Sequence, residues 1–203
     1  MRGITFFDVD TQYDFMNKKG KLYILDSNKI IPNLRRLIKF AQKKNILVAS
    51  SLDSHIIGDP EFRQFPSHCL EGSKGQEKIA STLLRKKVII ENKKYKVGTL
   101  RKKIKGILQI ILKKQKIDVF SNPNLKLILE GIKAAYVFGV ALDYCVKSAC
   151  LSLSKLGIKV FLVQDATKAV SIKGKEETLR LLKEEGVILV STLKVIKRLA
   201  NTK

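Results

Sequence analysis

The feature that most constrains this chain is a regular alternation, in its second half, of apolar β-prone runs with amphipathic stretches. Beyond residue 122 the pattern predicts a helix near Asn124 to Gly131, a strand over Ala135 to Val140 and a helix from Asp143 to Leu156. A strand over Lys159 to Val163, a helix from Gly174 to Glu185, a strand over Val187 to Val190 and a last helix follow. Gly157 and Gly186 sit where two of these helices end, positions that favour a left-handed residue. Strands that are apolar throughout, instead of alternating with polar residues, need cover on both faces. The expectation is an α/β fold of three layers, α/β/α, with a mostly parallel central sheet.

The first half fits the same plan less regularly. Ile4 to Val9 reads as a buried strand that meets Asp8 and Asp10 at its end. Leu34, Leu37, Ile38 and Ala41 recur at helical spacing over Asn33 to Asn45, and Ile46 to Ser51 reads as the next strand. The irregular stretch from Leu52 to Gly75 carries Gly58, Pro60, Pro66 and Gly72, and connections of that length usually serve a function. Val88 to Ile90 and Leu108 to Leu112 are further strand candidates. With no internal repeat and no linker composition, residues 1–203 are expected to form one domain.

Charge and cysteine content narrow the function classes. The chain has 40 Lys and Arg against 18 Asp and Glu, a formal charge of +22, and such a field attracts anions. The basic residues are spread over almost every segment, most densely over residues 85–106, with no RNA-binding signature of interleaved aromatics and no zinc-finger spacing. A lysine-rich solvated surface is therefore expected and a specific nucleic-acid partner is not. A non-catalytic, basic nucleic-acid-binding protein stays as the reading from a different class. No apolar run reaches membrane-spanning length, so no membrane partner is expected, and the opening MRGITFFDVDTQ turns acidic too early for a signal peptide. Three irregularly spaced cysteines make no disulfide framework, which points to a reducing cytoplasm. A homo-oligomer is compatible with the sequence.

Strand ends in such a sheet are where ligands bind, and Asp10, Asp53, His55 and Cys145 all fall there. Cys145 in GVALDYCV opens a helix, where free backbone N–H groups and the helix dipole favour a thiolate. Alone it could equally be a small buried hydrophobe, and Asp10 alone an ordinary capping aspartate. Together they could pass a proton between thiol, carboxylate and leaving amine. The only two histidines lie in the irregular segment. Asp53 and His55, at i and i+2 of an extended stretch, can face one way, with Glu61 and His68 following. Two imidazoles with one or two carboxylates suit a divalent metal, most simply Zn2+, although two loop histidines can also cap backbone groups.

These motifs resemble the isochorismatase-like cysteine hydrolases, and within them the nicotinamidase branch. The resemblance rests on DTQYDF (10–15), DSH (53–55), FPSHCLEGSKG (65–75), KKQKIDVFSNPN (113–124) and GVALDYCV, in that order along nearly the whole chain. It implies a Rossmann-like hydrolase fold and a triad of Asp10, Lys114 and Cys145. It further implies an oxyanion hole from the N–H groups of Ala141 and Cys145 beside a cis peptide between Val140 and Ala141. The implied activity is hydrolysis of nicotinamide to nicotinate and ammonia, with a small carboxamide as partner. A related amidohydrolase of another small amide or carbamoyl compound is the alternative. The implied metal, usually zinc, is held by Asp53, His55 and His68, with Glu61 where some members use a second loop histidine. Phe15, Phe65, Phe120 and Tyr144 fall where the family lines its ring pocket. Lys113, Lys116, Lys93 and Lys94 compete with Lys114 for the lysine role, and Leu142 stands where a small hydroxyl residue is usual.

Overall fold

In a computed structural model, which describes residues 3–201, the chain forms a seven-stranded sheet of order β3-β4-β2-β1-β5-β6-β7 with every neighbouring pair parallel. The strands are β1 (Ile4–Val9), β2 (Leu47–Asp53), β3 (Lys87–Ile90), β4 (Gln109–Lys114), β5 (Ala134–Val140), β6 (Lys159–Lys168) and β7 (Ile188–Val190). The helices are α1 (Tyr13–Met16), α2 (Ile31–Lys44), α3 (Val97–Ile104), α4 (Leu125–Ile128), α5 (Lys147–Lys155), α6 (Ile172–Glu184) and α7 (Thr192–Ala200). They cover the sheet on both faces, giving the three layers expected.

The period-two geometry of the strands divides the core in two. Phe7, Val9, Ala49, Leu112 and Val137 pack with Leu100, Ala149, Leu153 and Leu182 from α3, α5 and α6. Phe6, Val48, Phe138 and Val163 pack with Leu34, Leu37, Val195 and Leu199 from α2 and α7. In α2 the four positions singled out by their spacing, Leu34, Leu37, Ile38 and Ala41, are the buried ones. Pro32 opens that helix and Asn45, at φ +52°, ends it, its N–H donating to the carbonyls of Ala41 and Gln42.

Some elements differ from the sequence reading. α3 lies inside the basic segment, where only Leu100 is fully buried and the remaining residues give little periodicity to read. The helix near Asn124 shortens to one turn, and β6 continues past Val163 to Lys168 after a register shift against β5. The helix expected from Asp143 begins with a π turn, Leu142–Val146, before α5 takes over. The long segment after β2 is partly structured by 3-10 turns at Pro60–Arg63 and Lys74–Gln76 and by a parallel bridge between His55 and Leu70.

Topology places the site. The chain moves outward from β1 to β2 and the β3 edge, comes back through β4 and then crosses to β5 on the other side of β1. Crevices of this kind open at the carboxyl ends of the strands. There the register sets Asp53, the last residue of β2, directly beside Lys114, the last of β4.

Candidate active site

Asp10, Asp53, Lys114 and Cys145 meet at this rim. Lys114 is fully buried and its ammonium contacts three partners: Asp53 Oδ1, Asp10 Oδ2 at 3.0 Å and Cys145 Sγ at 3.6 Å. Of the five lysines in question, Lys114 is the one brought to the cysteine. Lys113 points the other way, pairing with Glu71 and Glu91, and Lys93, Lys94 and Lys116 are exposed. Consecutive strand residues face opposite sides of the sheet, which separates Lys113 from Lys114.

Asp10 follows β1 with φ +45°, a conformation that costs a non-glycine residue energy and that clusters at functional sites. Ser51 holds it twice, donating from Oγ to Asp10 Oδ1 at 2.6 Å and accepting from the Asp10 N–H at 3.2 Å. The second oxygen, Oδ2, is buried and makes the ion-pair contact with Lys114 but no aligned hydrogen bond. A carboxylate oxygen left in that state can accept a proton.

One ammonium cannot neutralise two carboxylates. Burial, and then the neighbouring Asp10, push Asp53 up to about 7 against the opposing pull of Lys114. Burial would lower Lys114, yet Asp10, Asp53 and Cys145 outweigh it and hold its charge well above the ordinary lysine range. For Cys145, burial is the largest influence and raises the thiol against the pull of Lys114, and Asp10 and Asp53 add to the rise. This corrects the expectation of a helix-start thiolate. With two anions close by and little water, the proton stays on sulfur at rest.

The GVALDYCV turn is shaped by backbone demands. Gly139 adopts φ +116°, and a Cβ there would stand 2.0 Å from the carbonyl oxygen of Val9. The peptide between Val140 and Ala141 is cis, as the resemblance implies. The Ala141 carbonyl accepts from the N–H groups of Tyr144 and Val146. Asp143 faces away from the thiol and takes the N–H groups of Val170 at 3.0 Å and Ser171 at 3.3 Å.

Beside this cluster, Asp53, His55 and His68 bring one donor atom each to within 4.8 Å of one another. His55 Nδ1 lies 3.0 Å from Asp59 Oδ2, and His68 Nδ1 lies 2.8 Å from the Pro66 carbonyl. A carbonyl can only accept, so His68 Nδ1 carries the hydrogen and Nε2 keeps its lone pair. The Asp59 carboxylate imposes the same tautomer on His55, whose Nε2 is buried without a partner. Burial lowers His68 and favours the neutral ring. Two neutral imidazoles with lone pairs converging beside a carboxylate fit Zn2+ or a similar divalent ion, with supporting partners on the far nitrogens. Glu61 stands 3.9 Å from His68 Nε2, at the edge of this set.

A cavity of about 120 Å³ joins the two clusters. Asp10, Asp53, Glu61, His68, Cys145 and Ala141 reach it, and Phe15, Phe65 and Tyr144 wall it. Phe120 does not, because it packs against the core on the α5 side. Leu22, Ile24, Ile117 and Val170 complete the wall. Leu22, Ile24 and Val170 stand in no motif, and Ile117 lies within KKQKIDVFSNPN without having been singled out there. Asp59 was also not legible, since its role depends on a turn that carries it back to His55.

Two motif residues hold the loops together. The Gln12 side chain donates to the carbonyls of Asp53 and Gln76 and accepts the Asp53 N–H, tying both loops to β1. Asp14 accepts the N–H groups of Cys69 and Lys21, and a Cβ at Gly75 would stand 2.1 Å from its Oδ2.

Comparison with known proteins agrees with this geometry. Residues 105–193 match the model of the isochorismatase domain. A pyrazinamidase of Pyrococcus horikoshii solved in complex with zinc is 26% identical, covering 93% of this chain and 99% of its own, with a TM-score of 0.78. Over residues 105–193 the chain carries the isochorismatase match, and as a whole it has the isochorismatase-like fold. Two further structures share the fold. The nicotinamidase of Bacillus subtilis is 21% identical over 93% of this chain and 99% of its own, TM-score 0.74. An N-carbamoylsarcosine amidase of Thermoplasma acidophilum is 22% identical over 95% and 97%, TM-score 0.73. The search of curated proteins returned no match. The family match supports a hydrolase, and among the described residues no helix is long and apolar enough to cross a membrane.

Proposed function

We propose that this isochorismatase-like hydrolase is a nicotinamidase that cleaves nicotinamide to nicotinate and ammonia through a thioester on Cys145. One observation carries the reading. A cavity of about 120 Å³ with aromatic walls is lined by the Cys145 thiol and the Asp10 carboxylate, backed by the buried Lys114 ammonium, and by His68, beside which the buried His55 keeps an unpartnered Nε2. A flat ring bearing a carboxamide and a basic ring nitrogen offers a group to each side.

In this reading Asp10 Oδ2 takes the proton from Cys145 as sulfur attacks the carboxamide carbon. The N–H groups of Ala141 and Cys145 receive the oxyanion, the kind of preorganised donor pair that lowers acyl-transfer barriers. When the tetrahedral adduct collapses, Asp10 gives the proton to nitrogen and ammonia leaves. Asp10 then accepts a proton from water, which attacks the thioester and releases nicotinate and the Cys145 thiol. Lys114 steadies the charges of Asp10 and sulfur throughout. Asp53, His55 and His68, with Glu61 nearby, would hold a divalent ion, most simply zinc, and Phe15, Phe65 and Tyr144 would flank the ring. When bound, the ion supplies a Lewis-acid point that anchors the substrate nitrogen and orients the amide.

The test is ammonia release from a panel of small carboxamides, nicotinamide, benzamide and N-carbamoylsarcosine among them, with and without chelator. Nicotinamide should be turned over fastest, and benzamide, which lacks the ring nitrogen, much more slowly. Zinc-loaded protein that releases no ammonia from nicotinamide would sink the proposal. Faster cleavage of the carbamoyl compound would favour the alternative within the family.

A further inference from the structure

The carboxylates and thiol around Lys114 form a second cluster of metal-ligating groups. One donor atom each from Asp10, Asp53 and Cys145 lies within 4.8 Å of the others, the same limit that the Asp53, His55 and His68 set meets. All of them are buried or nearly so, and Asp10 Oδ2 has no hydrogen-bond partner. Thiolate with two carboxylates is a donor set that zinc, cobalt and cadmium accept. Asp53 belongs to both sets, so its carboxylate could bridge two ions as in two-metal sites. What occupies the centre of the second set is the Lys114 ammonium, in contact with Asp53 Oδ1, 3.0 Å from Asp10 Oδ2 and 3.6 Å from Cys145 Sγ.

We infer that Asp10, Asp53 and Cys145 form a latent metal site, and that the Lys114 ammonium is the resident cation that keeps it closed. The inference rests on the reading of Asp53, His55 and His68 as a metal site only for its consequence, a single-ion limit. Its physical basis is separate. An ammonium brings one positive charge and three N–H donors to three acceptors, and it is covalently tethered, so it loses little entropy in staying there. A free divalent ion would bind Cys145 sulfur directly and remove the nucleophile's lone pair from chemistry. The ammonium hydrogen-bonds Asp53 and Cys145, ion-pairs with Asp10 and leaves the sulfur free to attack.

The experiment is metal titration of the full-length protein, read by bound-metal stoichiometry, by the near-ultraviolet thiolate-to-cobalt charge-transfer band and by the rate of Cys145 alkylation. With the wild type, cobalt should saturate at one equivalent with no thiolate band, and excess zinc should not protect Cys145 from iodoacetamide. Lys114→Ala should take one additional equivalent, show the band and have Cys145 protected by zinc. The double variant Lys114→Ala/Cys145→Ser should lose the band. A wild-type thiolate band on cobalt loading would overturn the inference, and this arm needs no variant to fold. A folded Lys114→Ala that binds no more metal than the wild type would overturn it equally. If the wild type binds no metal but Lys114→Ala binds one ion with the band, the latent site stands and the Asp53, His55 and His68 reading falls.

Discussion

Two buried lysines, Lys78 and Lys114, pair with carboxylates of the β1 and β2 segments, and they are built on opposite principles. Lys78 meets Asp8 Oδ2 at 3.0 Å, and the carboxylate is completed by Ser50 Oγ at 3.1 Å and Thr11 Oγ1 at 2.9 Å. Thr82 and Gln109 extend the network, so that one positive and one negative charge are paired and every oxygen of Asp8 is engaged. Lys114 faces two carboxylates and a thiol, and Asp10 Oδ2 is left without an aligned donor. Ser51 joins the two, its carbonyl accepting from Lys78 and its hydroxyl donating to Asp10. The contrast teaches that a buried charge cluster gains rigidity when its hydrogen bonds are complete and chemistry when one is missing.

This difference can be broken by experiment. The largest effect is expected at the incomplete cluster. Cys145→Ala should reduce nicotinamide turnover at least a thousandfold, to the background of the assay, because among the described residues no other thiol lines the cavity, while thermal stability holds. Asp10→Asn should lower kcat by roughly a hundredfold or more with KM little changed, since an amide cannot carry the proton. The reverse pattern is expected at the complete cluster. Lys78→Met leaves the Asp8 charge buried and unpaired, and should cost about 3–5 kcal/mol of stability, read by denaturant unfolding, while the folded fraction keeps its kcat. Equal losses of stability in Lys78→Met and Asp10→Asn would remove the distinction.

Two smaller effects sharpen it. Asp59→Ala should weaken metal affinity by about 10–100-fold without altering cysteine alkylation, because Asp59 orients His55 from behind. The pH dependence follows from Asp53, whose folded value is raised from 3.8 to about 7 by burial and by Asp10. A raised carboxylate binds its proton more tightly in the folded state, so metal-free protein should lose stability as pH climbs from about 4 to 7. In Asp53→Asn that part of the slope should vanish, as measured by metal-free melting temperatures at pH 5 and pH 7.5. An identical slope in both proteins would mean that Asp53 is not carrying the excess charge.

Much of this molecule was legible in order. The apolar strands and amphipathic helices of the second half set the layers, since hydrophobic period is a local property of the chain. The residues that reach the rim, Asp10, Asp53, His55, His68 and Cys145, stood at strand ends or in the one long irregular segment, where parallel sheets put their ligands. α3 escaped because a helix that buries little besides Leu100 leaves almost no periodic signal. Phe120 was placed in the cavity wall by its position in a motif, and the 3-10 turn at Val119–Ser121 carries it to the core instead. Ser51 and Lys78 were ordinary strand and loop residues until pairing made them partners.

What the sequence determined by itself was the parallel α/β plan and which residue types were present to do chemistry. Which of those residues meet was a tertiary decision. Lys114, and not Lys113, reaches Cys145 because β4 pairs with β2 in the register that sets it beside Asp53. The state of Cys145 was also decided there. Its position at a helix start argued for a thiolate, but burial beside two carboxylates keeps the proton on sulfur. A helix end acts through local dipoles, whereas the charge and solvent around a side chain belong to every segment that packs against it.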